Sequence, residues 1–345
     1  MVRGLRNGVE SAKIADFIWC FGTTISFGAH CTRYNLKYTI YNPMTNIQTA
    51  IDPAESDALL ETVREQRALE TFNPNDSELL KKMVECMGDS RGMMRLSFAE
   101  TLGSIGKPAT PFLVEALAHH PNPVVRRASA KTLTLICDPV ALPTLLEAFL
   151  HDEDTVVNGS AAAGLAKLGE PSVPHLLEVL ASPKYAESTK GHAAWALAFI
   201  GSKAKECLYR EIASDSVEVR AAVVGAIGKI AQEEPEEAAF NLLVNALTDT
   251  AETVRIEAAS ALANAAYKPA IPNFVELLHH ANWESRKAAA LALMKIGVSE
   301  DPPEFPVVLE PLEAALVQES ESQVRQVIQL AISQIKKQSE ADDWE

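Results

Sequence analysis

The stretch KGHAAWALAFIG at 190–201 carries an imidazole, an indole and a phenyl ring at His192, Trp195 and Phe199. Steps of three and four residues bring such side chains onto one face of a helix. A floor of this kind can hold a flat ligand or an inserted partner side chain. Lys167 and Lys229 take the position of Phe199 in the segments before and after, and Lys190 opens the stretch itself. Ammonium groups around an aromatic floor suit a molecule with carboxylates. If a proton has to move, His192 is the candidate, since imidazole titrates near neutrality. No orienting carboxylate is visible beside it, and no other catalytic residue is assigned. The competing reading makes Trp195 a filler between imperfectly matched helices, with solvated lysines and a structural histidine.

Other reactive side chains form no constellation. Five cysteines (Cys20, Cys31, Cys86, Cys137, Cys207) lie far apart with no Cys-x-x-Cys pair, which argues for a reducing compartment without a disulfide framework or zinc site. The histidine pairs at 119–120 and 279–280 recur at one repeat position, the end of a first helix, and read as a shared turn preference rather than a metal site. Glycine-rich phosphate loops and the Gly-x-Ser-x-Gly elbow are absent from the sequence.

The trio belongs to a recurring frame. PVVRRASAKTLTLIC (123–137), TVVNGSAAAGLAKLG (155–169), VEVRAAVVGAIGKIA (217–231), ETVRIEAASALANAA (252–266) and WESRKAAALALMKIG (283–297) share it, with weaker copies at 92–106 and 322–336. Taking the residue near each helix start as zero, the landmarks are Arg95, Arg126, Asn158, Lys190, Arg220, Arg255, Arg286 and Arg325. Their spacing fits one antiparallel helix pair per repeat. Offsets +3, +7 and +10 are almost always apolar and form one buried stripe. Offsets +4 and +6 are mostly Ala, Gly or Thr, and +11 is often glycine (Gly106, Gly169, Gly201, Gly297), a natural helix end. Proline-rich entries such as KPATPFLVEAL and EPSVPHLLEVL open the next first helix. Acids before the landmarks, Asp215 and Asp249 among them, are expected to cap helices and bridge to the basic landmark of a neighbouring repeat. The fold class is all-α: an α-solenoid of about eight HEAT-like helix pairs, each contacting its neighbours.

In this frame the trio occupies +2, +5 and +9. Other copies hold Glu100, Lys131, Ala163, Gly225, Ser260, Leu291 and Leu330 at +5, and mostly polar residues at +9, so that face is expected to be open and to line the concave side. Ser160, Ala163, Ala222 and Gly225 flank the trio with small side chains, leaving room above the floor.

With 31 basic against 46 acidic residues the chain carries a net charge of −15, which disfavours a phosphate backbone, and no basic cluster offsets it. It has no run of 18 apolar residues, so no membrane insertion is expected. Residues 1–43 stand outside the repeat as a net basic lead; the functional chain is expected to begin at Met44, the upstream residues being a mis-assigned start or a disordered lead, with a targeting peptide as the alternative. A capping helix is expected within 44–76, the solenoid over 77–336, and a loose acidic tail over 337–345.

The segments VRRASAKTL…LICDPVALPTLLEAFLHDEDTVV and GSAAAGLAKLGEPSVPHLLEVL resemble the HEAT-like repeats of the phycobilisome lyase family, over roughly residues 77–336. The resemblance implies action on phycobiliprotein subunits or the phycobilisome, in cyanobacterial cytoplasm or plastid stroma. The activity would be attachment, isomerisation or removal of a linear tetrapyrrole (bilin) substrate, with no tightly bound cofactor and often with a second HEAT-repeat subunit. If the chain is an enzyme, it is expected to be bilin lyase-like. A non-catalytic HEAT scaffold or adaptor is the alternative function. HEAT-like deoxyhypusine hydroxylases hold two irons through His-Glu pairs, and this sequence has no His-Glu dipeptide.

Overall fold

The repeated apolar stripe appears as stacked helix pairs. The computed structural model describes residues 52–299 and 305–342. The lead 1–43, the expected start at Met44 and the final residues of the tail lie outside them. Helix α1 (Pro53–Ala68) falls within the expected capping region. Eight pairs follow among the described residues: α2 (Ser77–Glu85) with α3 (Gly92–Ile105), α4 (Thr110–His119) with α5 (Pro123–Ile136), α6 (Leu142–His151) with α7 (Thr155–Leu168), and α8 (Val173–Ala181) with α9 (Glu187–Ile200). They continue as α10 (Lys205–Glu211) with α11 (Val217–Glu233), α12 (Glu237–Ala246) with α13 (Glu252–Asn264), α14 (Ile271–Leu277) with α15 (Trp283–Gly297), and α16 (Phe305–Gln318) with α17 (Ser322–Asp342). The last helix thus runs on through Asp342, into the segment expected to be a loose tail.

Local chemistry sets the ends of the pairs. The side chains of Asn122, Asp154, Ser216 and Asn282 accept backbone N–H bonds at the starts of α5, α7, α11 and α15, each worth about 1 kcal/mol. A proline-bearing 3₁₀ turn precedes α4, α6, α8 and α14, and a second proline sits in the first turn of each helix. Gly106 and Gly169 end their helices at φ of 80° and 81°, a region costly for other residues. Cys137 adopts the left-handed conformation at the same offset. Gly297 does not: it stays inside α15, where a Cβ would meet Ile335 Cγ1 at 2.8 Å, so close helix approach explains that glycine.

Ala193, Leu197 and Ile200 of α9 and Val223, Ile227 and Ile230 of α11 are buried, as offsets +3, +7 and +10 require. Second helices α5, α7, α9, α11, α13, α15 and α17 pack successively on one another more extensively than the first helices do. That places them on the inner layer of the stack.

Three of the landmark arginines clasp successive repeats through a carboxylate. Arg126 Nη1 donates to the carbonyls of His120 and Pro121 in its own turn, while its Nε and Nη2 meet Asp152 of the next repeat at 2.8 and 3.0 Å. Arg220 repeats this with Ser214, Asp215 and then Asp249, and Arg286 with His280, Ala281 and then Glu319. The bridging acid is therefore six residues before the next landmark. It stands upstream of the helix cap and is not the cap itself, apart from the Arg127–Asp154 pair. Arg220 and Arg286 hold the carboxyls of Asp249 and Glu319 below their ordinary range by hydrogen bonding.

The histidine pairs serve the same turn. His120 and His280 stand at the clasp-acid position, and each ring Nδ1 accepts the N–H of the residue two further on, Asn122 or Asn282, at 3.0 Å. Carboxyl oxygens of Asp152, Asp249 and Glu319 accept the equivalent N–H in their own turns. Imidazole replaces carboxylate as a turn acceptor.

Candidate functional site

Helix α9 presents its odd face between α7 and α11. Phe199 is 42% exposed, and His192 and Trp195 are half-buried. The Trp195 and Phe199 rings stack with centroids 5.6 Å apart at 27°. The surrounding +9 row is open as well: Lys167 is half-buried, while Ser104, Lys229, Asn264, Lys295 and Gln334 are exposed. The three rings therefore reach the surface of the inner layer; they are not sealed between helix pairs.

His192 is held in place by its own helix. Its Nδ1 lies 2.9 Å from the Ser188 carbonyl, one turn back, so Nδ1 carries the proton and Nε2 is left as the acceptor in the neutral ring. An ideal Cβ on Gly159 would sit 3.7 Å from Nε2, so the imidazole leans over the glycine of α7.

The expected cations divide. Lys229 is exposed and pairs with Glu233 at 3.3 Å. Lys167 sits on α7 with its carbonyl 3.3 Å from Cys137 Sγ. Lys190 does not join them. Nine residues make two and a half helical turns, so it lies on the opposite side of α9 from Phe199. There it is buried at the landmark position, 3.8 Å from Glu187, and its field reaches Glu218 of the next repeat.

The space expected beside the trio is partly filled. Ser160 and Ala163 are buried, 7% exposed each. The place of a Cβ on Gly225 is taken by Glu257 of α13, whose Oε1 would lie 2.8 Å away and its carboxyl carbon 3.5 Å. Glu257 is exposed as a residue, while the protein packed against its carboxyl pushes the pKa up by desolvation. Lys131, at +5 of α5, is pushed down by burial, with Arg127 adding repulsion. Offsets +5 and +9 do not reach Glu257. The +2 column does: Ser97, Ala128, Ser160, His192, Ala222, Ala288 and Val327 leave it as the one acid.

Among the described residues no group of three or more histidine, cysteine or acidic side chains could hold a metal ion, and no helix is long and apolar enough to cross a membrane. Cys86 is buried, with its thiol pKa raised by that burial; Cys137 is exposed and Cys207 half-buried.

Fold and site together define a HEAT-repeat protein with an aromatic patch on its inner layer. The HEAT repeats family matches residues 110–189 and 240–333. The bilin biosynthesis protein MpeU of Synechococcus sp. (strain WH8020) is 39% identical over 302 residues, covering 84% of this chain and 99% of that protein. The chain belongs to the phycobilisome lyase family of HEAT-repeat proteins. Among solved structures, the complex of CpcE and CpcF of phycocyanin lyase from Nostoc sp. PCC7120 matches at 20% identity and a TM-score of 0.32, covering 76% of this chain and 95% of that one. Importin beta matches at 14% identity and a TM-score of 0.48, covering 84% of this chain and 43% of that one.

Proposed function

We propose that the chain binds a linear tetrapyrrole on the inner face of α9 and presents it to a phycobiliprotein subunit, assisting attachment, isomerisation or removal of the pigment. The observation that carries this reading is the stacked Trp195–Phe199 pair at the surface of the inner layer. A conjugated, flat pigment gains most from such a stack, and Lys167 and Lys229 flank it as partners for propionate carboxylates. The work asked of the protein is positioning, holding pigment and acceptor cysteine in register rather than supplying a nucleophile of its own. A relative whose name refers to bilin biosynthesis supports this assignment of ligand class. A second HEAT-repeat subunit would complete the cradle for the phycobiliprotein. The proposed setting is the cyanobacterial cytoplasm or plastid stroma.

Titration of the purified chain with biliverdin, followed by visible absorbance, tests it. A shifted band in the wild type that falls at least tenfold in affinity in Trp195→Ala is the expected result. A wild type that leaves the pigment spectrum unchanged refutes the pigment role and leaves a HEAT scaffold that binds protein through the same patch.

A further inference from the structure

We propose that Glu257 is part of the pigment site: its carboxylate receives the pyrrole N–H groups of a linear tetrapyrrole lying across Trp195 and Gly225. This rests on the bilin reading above and adds to it a specific recognition residue, one repeat removed from α9.

The inference starts from a side chain in an unexpected place. Glu257 has open surface available to it, yet its carboxyl folds back over α11 into the space where Gly225 lacks a Cβ. Helices in contact are separated by about 8–10 Å. Reaching from α13 over α11, the carboxyl brings an acceptor toward the aromatic helix past Gly225, which with Ala222 holds the small +5 and +2 positions of α11. Among the described residues no ion pair or hydrogen bond engages the Glu257 carboxyl, and desolvation raises its pKa. A carboxylate so placed is stabilised by an incoming N–H donor more than a solvated one would be.

The rows of the trough fit the two edges of the ligand. Offset +9 carries Lys167, Phe199 and Lys229; offset +2 carries His192 and Glu257. The two rows are about 10 Å apart along the helix axes, with Trp195 and Gly225 between them at +5. A linear tetrapyrrole with converging nitrogens has its propionates on the outer edge and its nitrogens on the inner one. Propionates directed at the lysine row turn the nitrogens toward the row that holds Glu257 and His192. Lysines and carboxyl then recognise opposite edges of one molecule, while the rings between them stack.

The test uses the full chain, biliverdin and biliverdin dimethyl ester, with far-ultraviolet circular dichroism checking the fold. Glu257→Gln removes the charge and keeps the shape; its biliverdin affinity is expected to fall about tenfold, the strength of one charge-assisted hydrogen bond, with a smaller band shift. Gly225→Ala is expected to reproduce the loss, because its Cβ occupies the carboxyl's place. The ester, which lacks charged propionates, is expected to bind more weakly to the wild type and still lose about tenfold in Glu257→Gln. Wild-type affinity and band shape in both variants would overturn the role of Glu257 while the pigment reading stands. Failure of the wild type to bind either pigment would overturn both.

Discussion

Gly225 and Gly228 lie three residues apart on α11, and alanine at the two positions should have opposite effects. At Gly225 the new methyl meets only the far end of the Glu257 side chain, which can swing into open surface. Removing a helical glycine then stabilises by about 0.5–1 kcal/mol. At Gly228 the methyl would lie 2.5 Å from the Ala261 Cβ, with the Ala261 Cα at 3.4 Å, so α11 and α13 must part. Overpacking of this kind costs about 1–3 kcal/mol. Thermal melts of Gly225→Ala and Gly228→Ala therefore move in opposite directions from the wild type; shifts of the same sign would refute the packing assigned to this helix pair. The rings of the trio were legible at this scale because their neighbours in the repeat frame are small or polar. Glu257 was not, because its role depends on a side chain reaching over an adjacent helix, which only the fold reveals. Lys190 misled for a related reason. Its charge is visible in the sequence, but the half-turn that places it opposite Phe199 emerges only when offsets are read as angles.

At the scale of the element, the arginine clasp ties one pair to the next at three junctions among the described residues. Arg220 and Asp249 are 14% and 16% exposed, so the pair is largely shielded. Arg220→Ala strips two carbonyls and one carboxylate of their donor and is expected to cost about 2 kcal/mol, read as a lower urea midpoint. The clasp also sets the acid response. Arg220 lowers the Asp249 carboxyl, and Arg286 lowers that of Glu319. Their stabilisation is complete above the ordinary carboxylate range near pH 4 and is lost as the pH falls through the lowered folded-state values. The urea midpoint is expected to drop steeply between about pH 5 and pH 3 in the wild type. The drop should be shallower in Asp249→Asn; an equal slope would mean that these carboxylates do not govern acid unfolding. Helix pairs and their boundaries could be read from apolar offsets and proline entries, since both are local. The sequence predicts the clasp as a bridge between neighbouring repeats but puts its acid at the cap. Only the observed turn shows why the acid sits further upstream: from there it also accepts a backbone N–H.

For the whole molecule, repetition makes stability a chain of nearest-neighbour contacts, and the chain is uneven. The landmark of α7 is Asn158, whose amide bonds the carbonyls of Ala148 and Asp152 within its own repeat, and the clasp-acid position ahead of α9 is Lys184. The landmark of α9 is Lys190, held by Glu187 in the same helix, and the clasp-acid position ahead of α11 is Ser214. Both junctions beside the aromatic helix thus lack the arginine–carboxylate tie seen on either side. Installing it with Lys190→Arg and Ser214→Asp together is expected to raise stability by about 1 kcal/mol. The double variant should gain more than the sum of the single changes, and a strictly additive pair in a double-mutant cycle would show that no clasp forms.

The missing ties have a mechanical corollary. Under tension applied to its ends, the array would part first at a junction without the tie, and the two adjoining ones beside α9 make its longest unclasped stretch. A pigment lying across the gap from α9 to α13 would act as a splint over that fault. Loaded protein should then resist rupture at higher force than empty protein, coupling cargo to stiffness at the very place where the cargo sits.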